Sequence, residues 1–295
     1  MATKYVVREE MFDFLDALYG QYDKGAGANG IIHMYKVPGA SIAIWSTGTL
    51  LIQGKEEGKY KGIIESLLCV PYSKDSEDVL PQACIIGSDE VGNGSYTGGM
   101  TAAAVYVPLA MVDSLKALGI KDSKSVSDSR IPQLAEEIKK YCPHFVMSLS
   151  PKQYNRAISK GYNQVSLKVL MHNYCAVNLQ NAYHGLKFDG YIVDGFTNQQ
   201  SWDNYVAKEK EPTKVKAKLV PHAESKYLAV AAASILARDS FLKQIEYLSL
   251  ESGIKLHQGV TSYVREDVLA LKSRGFDLND FVKLHFKNTE MWGLK

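Results

Sequence analysis

The sequence predicts an α/β fold with a central sheet over residues 82–295, preceded by a small α+β module over residues 1–70. Three observations lead there. Beyond Cys84, short apolar runs that suit strands alternate with longer stretches of helical spacing, the pattern of helices layered on a sheet. The first 70 residues carry a hairpin pattern flanked by two helical stretches. Between the two parts runs PYSKDSEDVLP, polar and bounded by Pro71 and Pro81, which reads as a linker over residues 71–81. A chain of 295 residues is long enough for two such units.

Taken in order, residues 8–20 place Met11, Phe12, Leu15 and Leu18 at helical spacing, with Gly20 as a stop. Residues 41–54, SIAIWSTGTLLIQG, form two apolar runs around a Ser46-Thr47-Gly48 turn. Lys59 to Leu68 suits a second helix. In the larger part, Cys84–Ser88 and Thr101–Val107 read as strands. Ser127 can cap a helix that puts Ile131, Leu134, Ala135 and Ile138 on one face. His144–Leu149 follows as a strand and Gln164–Leu179 as a helix. Gly190–Asp194 and Lys214–Pro221 are strands, and a helix rich in small residues covers Ala229–Leu248. Ser262–Arg274 and Leu278–Leu284 have helical patterns, and no internal repeat occurs.

Charge excludes a globally polycationic binder. Residues 1–70 hold 7 Lys and Arg against 8 Asp and Glu, net −1, and residues 71–295 hold 27 against 24, net +3. Cys69, Cys84, Cys142 and Cys175 are scattered without a C-x-x-C pair, which disfavours zinc and suits reduced thiols. With no apolar leader and no stretch approaching a membrane span, the expectation is a soluble, cytoplasmic monomer.

Chemistry concentrates in IIGSDEVGNGSYTGGMTAAAVYVP, residues 85–108. An apolar strand runs straight into Asp89-Glu90, and buried carboxylates are costly unless compensated. No Lys or Arg lies between Pro81 and Pro108, so a divalent metal is the economical compensator. Asp194 ends a second apolar run, and Glu224 follows a third. Strand ends of this kind are where open α/β sheets gather ligands. Four carboxylates in one cleft repel strongly, and two Mg²⁺ or Mn²⁺ ions would bring +4 against the −4. Such a centre favours in-line displacement at phosphorus. A solvated turn or a cap is the commoner explanation for any single strand-end Asp, and only the set changes that.

The glycines Gly92, Gly94, Gly98 and Gly99 do not make a dinucleotide fingerprint, because a strand rather than a helix follows. A backbone that approaches a nucleic-acid sugar or phosphate fits better. Lys121, Ser123 and Lys124 precede a helix and can cradle a phosphate, although short charged loops are usually just solvated. His172 and His222 read as structural histidines, and Asp239 as half of a surface pair with Arg238 rather than as a ligand.

Together Asp89-Glu90-Val91-Gly92-Asn93-Gly94, the Lys121–Lys124 loop, Val193-Asp194 and Glu224-Ser225-Lys226 before AVAAASILARDSF resemble the ribonuclease HII/HIII family. Tyr154-Asn155, Asn163, His172-Asn173 and LHFKNT (residues 284–289) resemble its HIII branch, and the first 70 residues resemble that branch's TATA-binding-protein-like substrate domain. The resemblance implies a ribonuclease H-like fold and Mg²⁺- or Mn²⁺-dependent endonucleolytic cleavage of RNA in RNA–DNA hybrids, leaving 3′-hydroxyl and 5′-phosphate ends. It assigns the metals to Asp89, Glu90, Asp194 and Glu224. Gly92, Asn93 and Gly94 would meet 2′-hydroxyls, and Lys121, Ser123 and Lys124 phosphates. A Glu at position 224 suits HIII, where HII usually has Asp. Ser95, Thr97 and Gly99 depart from the Asp, Phe and Pro common in HIII, and Thr49 from a Lys. The alternatives are HII-like cleavage at single embedded ribonucleotides and a hybrid-binding protein without turnover.

Overall fold

Alternation along the strands organises the N-terminal part. In the computed structural model, which describes residues 3–6, 12–67, 83–120, 126–183, 185–186, 188–209 and 216–294, this part runs β1 (Thr3–Val6), α1 (Phe12–Tyr19), β2 (Ile31–Tyr35), β3 (Ala40–Trp45), β4 (Thr49–Gly54) and α2 (Glu57–Leu67). The sheet is antiparallel in the order β1-β4-β3-β2. Ile42 pairs with Ile52 and Ile44 with Leu50, and all four are fully buried against Leu15 of α1 and Tyr60 and Ile64 of α2. The predicted turn is present, with Gly48 at φ 77° and its N–H donating to the Trp45 carbonyl at 2.8 Å. Residues 8–11 of the predicted first helix and the whole 71–81 segment lie outside the described residues.

The second part supplies β5 (Ile85–Val91), β6 (Met100–Tyr106), α3 (Val112–Ala117), α4 (Ile131–Tyr141), β7 (His144–Leu149), α5 (Pro151–Ser159) and α6 (Gln164–Ala182). It continues with β8 (Gly190–Asp194), α7 (Gln199–Val206), β9 (Ala217–Val220), α8 (Leu228–Ser252), α9 (Ser262–Ser273) and α10 (Asn288–Met291). The sheet order is β7-β6-β5-β8-β9, antiparallel from β5 through β7 and parallel from β5 through β9.

Helices α6 and α8 cover opposite faces of this sheet. The small residues that open α8 allow very close approach: a Cβ on Gly87 would sit 2.2 Å from the Ala229 carbonyl carbon and the Val230 nitrogen. Leu228 to Ala237 are all buried in consequence. A second, smaller core around Tyr96, Phe241, Val268 and Val282 joins the end of α8 to α9 and the C-terminal segment.

Several expectations need correction. Ser127 does not cap α4: its hydroxyl meets Ser129, and a 3₁₀ turn at Asp128–Arg130 leads into the helix. The predicted apolar face, Ile131, Leu134, Ala135 and Ile138, is buried. Leu278–Leu284 is helical only as a 3₁₀ turn at Leu278–Asp280, because Val282 then pairs with Thr97 as an extended bridge. Asp239 is not a surface partner of Arg238. It is buried and accepts from Lys139 at 3.0 Å and Lys243 at 2.9 Å, while Arg238 reaches Asp128 and the Val126 carbonyl.

Candidate active site

Parallel pairing of β5 with β8 sets Ser88 beside Val193, so Asp89 and Asp194 leave adjacent strands at the same edge. Pairing of β8 with β9 sets Asp194 beside Val220, and the chain then turns back through His222, at a left-handed φ of 55°. That turn sends the Ala223 N–H to Asp194 Oδ1 at 2.8 Å and brings Glu224 within hydrogen-bond reach of Asp194. His222 itself is exposed.

The strand's alternation then divides the acidic pair. Ser88 and Glu90 face α6; Gly87 and Asp89 face α8. Glu90 accepts from Lys168 Nζ at 2.8 Å and faces His172 Nε2 at 2.9 Å. Ser88 donates to the Ala103 carbonyl at 2.7 Å and lies 2.5 Å from His172 Nδ1. Lys168 also stands 3.7 Å above the Phe196 ring, which stacks on His172. Burial opposes ionisation of Glu90, but His172 and Lys168 outweigh it and hold the carboxyl below its ordinary value.

Asp89 has no such partners among the described residues. Burial, then Glu90 and Asp194, push it up to about 8 against the bonds from Ser234 and the Glu90 N–H. Burial and the nearby Glu224 and Glu90 also raise Asp194. Hard oxygen donors held above the carboxylate range by burial and mutual repulsion are what a divalent cation relieves, so these residues fit a metal. The absence of Lys and Arg between Pro81 and Pro108 does not leave the pair to metal entirely: Lys168, from a different element, serves Glu90.

The glycine loop packs beside this edge. Gly92, at φ 100°, would put a Cβ 2.6 Å from Phe241, and Gly99 would put one 1.9 Å from the Leu149 carbonyl, so both positions require glycine. Gly94 has nothing within 4 Å and is exposed. The Asn93 carbonyl accepts from Gln164 at 3.1 Å, while the buried Asn93 Oδ1 finds no partner. Lys121, Ser123 and Lys124 lie outside the described residues, but Lys116 and Ile120, at the entry to that segment, share a cleft with Glu224 and Ser225.

Sequence reasoning missed Lys168 and undervalued His172. Gln164, Lys168 and His172 stand four residues apart, one face of α6, and that spacing was the available signal. Elsewhere, Asp16, Asp23 and His33 cluster within 4.8 Å, but their atoms are engaged with one another and with Tyr35 and the Gly25 and Met34 N–H groups. The described cysteines Cys84, Cys142 and Cys175 are buried, and burial raises each thiol, Cys84 to about 12, so none is a nucleophile here.

Known proteins point the same way. The family model described as ribonuclease HII matches residues 86–289. Ribonuclease HIII from Streptococcus gordonii is 38% identical over 283 residues, covering 94% of this chain and 93% of the relative. Ribonuclease HIII from Bacillus cereus is 38% identical over 275 residues, 88% of each chain. The crystal structure of Bst-RNase HIII in complex with Mn²⁺ superposes with a TM-score of 0.68 at 32% identity, covering 100% of this chain and 98% of that one. Aquifex aeolicus RNase H3, at 22% identity and a TM-score of 0.56, shares the fold. The chain belongs to the ribonuclease HII family, in its ribonuclease HIII branch, and is a divalent-metal-dependent endoribonuclease that hydrolyses RNA in RNA–DNA hybrids.

Proposed function

We propose that Asp89, Glu90, Asp194 and Glu224 hold two divalent ions, Mg²⁺ or Mn²⁺. The observation that carries this is the convergence of three strand ends, where, among the described residues, no cationic side chain compensates Asp89 or Asp194. When bound, the metals supply an activated water and stabilise the leaving 3′-oxygen in an in-line displacement at phosphorus. The protein's own task is orientation. Lys168 and His172 fix both oxygens of Glu90, and the Ala223 N–H fixes Asp194.

In this reading Gly92, Asn93 and Gly94 meet the 2′-hydroxyls that distinguish RNA from DNA. Gly94 supports it, since its lack of a side chain answers no packing need of the fold. Lys121, Ser123 and Lys124 hold phosphates near Glu224. Residues 1–70 form a substrate-binding module, joined by residues 71–81 to a catalytic domain over residues 82–295. The open face of its sheet, with Met34, Ala43 and Leu51 in one cross-strand row, lies against the duplex. The protein works as a cytoplasmic monomer; among the described residues no helix is long and apolar enough to cross a membrane.

Cleavage of an all-RNA/DNA hybrid and of a duplex with one embedded ribonucleotide, each with Mg²⁺ and with Mn²⁺, tests the substrate class. Efficient cutting of the first and poor cutting of the second is expected. Comparable rates on both would assign HII-like specificity.

A further inference from the structure

Lys283 is fully buried, and no carboxylate is among its described partners. Its Nζ donates to the Ser95 carbonyl at 2.5 Å and the Gly98 carbonyl at 2.8 Å, both in the glycine loop. Its ammonium also stands 5.6 Å from the Tyr154 ring and 5.7 Å from the Phe286 ring. The same C-terminal strap meets the loop twice more: the Lys283 N–H reaches the Tyr96 carbonyl and the Gly98 N–H reaches the Phe281 carbonyl, two bonds that together pair Thr97 with Val282. The strap is held in turn by Asn155, which bonds the Val282 carbonyl at 2.8 Å and the Leu284 N–H at 3.0 Å.

A buried ammonium costs free energy unless something specific holds it in place. Among the described residues, the only strong acceptors it meets are two backbone carbonyls, one and four residues beyond Gly94 along one tight loop. We propose that Lys283 is a positioning residue whose charge fixes the loop Gly92–Gly99 in the conformation that discriminates ribose from deoxyribose. This rests on the reading of Gly92, Asn93 and Gly94 as the 2′-hydroxyl contact. Burial lowers Lys283 to about 7, so its charge fades as the solution turns alkaline. The titratable groups facing it are Tyr154 of α5, Tyr96 of the loop and His285 of the strap. Burial raises Tyr154 to about 12 and lifts Tyr96 as well, while burial and Lys283 lower His285, so none of the three titrates between pH 7 and 9.

The test measures binding of an RNA–DNA hybrid and of the DNA duplex of the same sequence, without metal and at fixed ionic strength, from pH 6.5 to 9. Charge-assisted hydrogen bonds contribute about 1.5–3 kcal/mol, so Lys283→Met should cut the hybrid-to-duplex affinity ratio about tenfold or more at pH 6.5. In cleavage assays its KM should rise by a similar factor while kcat stays within about threefold. The wild-type ratio should fall as pH rises, and the variant's ratio should be flat. Should Lys283→Met fail to fold, Lys283→Gln takes its place and Lys283→Arg should restore the ratio, the wild-type profile being read against them because Asp89 also titrates near pH 8 without metal. A pH-independent wild-type ratio, or a folded variant with an unchanged ratio, overturns the proposal. A wild type with no preference for the hybrid at any pH overturns the loop reading itself, a separate and recognisable failure.

Discussion

Glu90 and Asp89 are neighbours on β5, yet one faces an ammonium and an imidazole and the other faces a helix of alanines and a serine. On the α6 side the protein neutralises its own acid, which is held ionised. On the α8 side the small residues that permit close packing offer Asp89 no cationic side chain among the described residues, and the acid is pushed up to about 8. The two faces therefore need an external cation to different degrees. In the proposed two-ion centre, Asp89, together with Asp194 and Glu224 across the strand edge, is where metal charge would act most directly, and Glu90 would be the pre-set side.

The largest effects follow from removing charge where nothing else supplies it. Asp194→Asn keeps the shape and removes a charge that the proposed centre uses to hold metal, so cleavage should fall by orders of magnitude, about 10³-fold or more, with folding and hybrid binding retained. Glu224→Gln should also be severe. Asp239→Asn should leave the rate within about threefold, because that residue binds Lys139 and Lys243 away from the strand ends. Single-turnover rates of the three variants decide. A dead Asp239→Asn beside an active Glu224→Gln would overturn the ligand assignment.

Stability should then separate the two faces by sign. Glu90→Gln strands a buried Lys168 and weakens the His172 contact, and breaking a buried pair from one side typically costs about 3–5 kcal/mol. Asp89→Asn instead deletes a charge that burial and two other carboxylates oppose, while Asn can still accept from the Glu90 N–H. It should be neutral or stabilising. Urea unfolding of both variants in EDTA measures the difference, and equal losses would show that the faces are not electrically distinct.

What the sequence revealed tracks how local each signal is. Hydrophobic runs marked β5, β6, β8 and the β3–β4 hairpin, and Asp89, Glu90 and Asp194 were legible because a charge that ends an apolar run is conspicuous. The strands β1 and β2 were not foreseen: β1 is four residues long and β2, IIHMY, does not alternate cleanly, and both exist through pairing with distant partners. Helices α5 and α7 are short and were passed over, although Ser150 with Gln153 forms a capping box that is visible in sequence. Lys168 was illegible for a different reason. It stands 78 residues from Glu90, and only the packing of α6 on the sheet joins them. Lys283 is further still, 188 residues from Ser95.

The smallest effects belong to the N-terminal module, where the comparison changes from acid faces to sheets. The catalytic sheet ends in carboxylates, whereas the open row of the N-terminal sheet is apolar from Met34 through Ala43 to Leu51 and continues to Lys4, and residues 1–70 are net −1. Contact there should depend on shape and apolar area more than on counterion release. Lys36 and Lys55 are exposed and follow β2 and β4 at the same end of the sheet, the positions best placed to reach phosphates. Each cation that neutralises one phosphate contributes about one to the slope of log affinity against log salt. The double variant Lys36→Glu, Lys55→Glu should therefore reduce the slope by about two, raise KM severalfold and leave kcat unchanged. Hybrid affinity at several salt concentrations, with KM and kcat beside it, checks this. An unchanged slope would remove these lysines from the interface, and a fallen kcat would mean that the module shapes the chemistry as well as the binding.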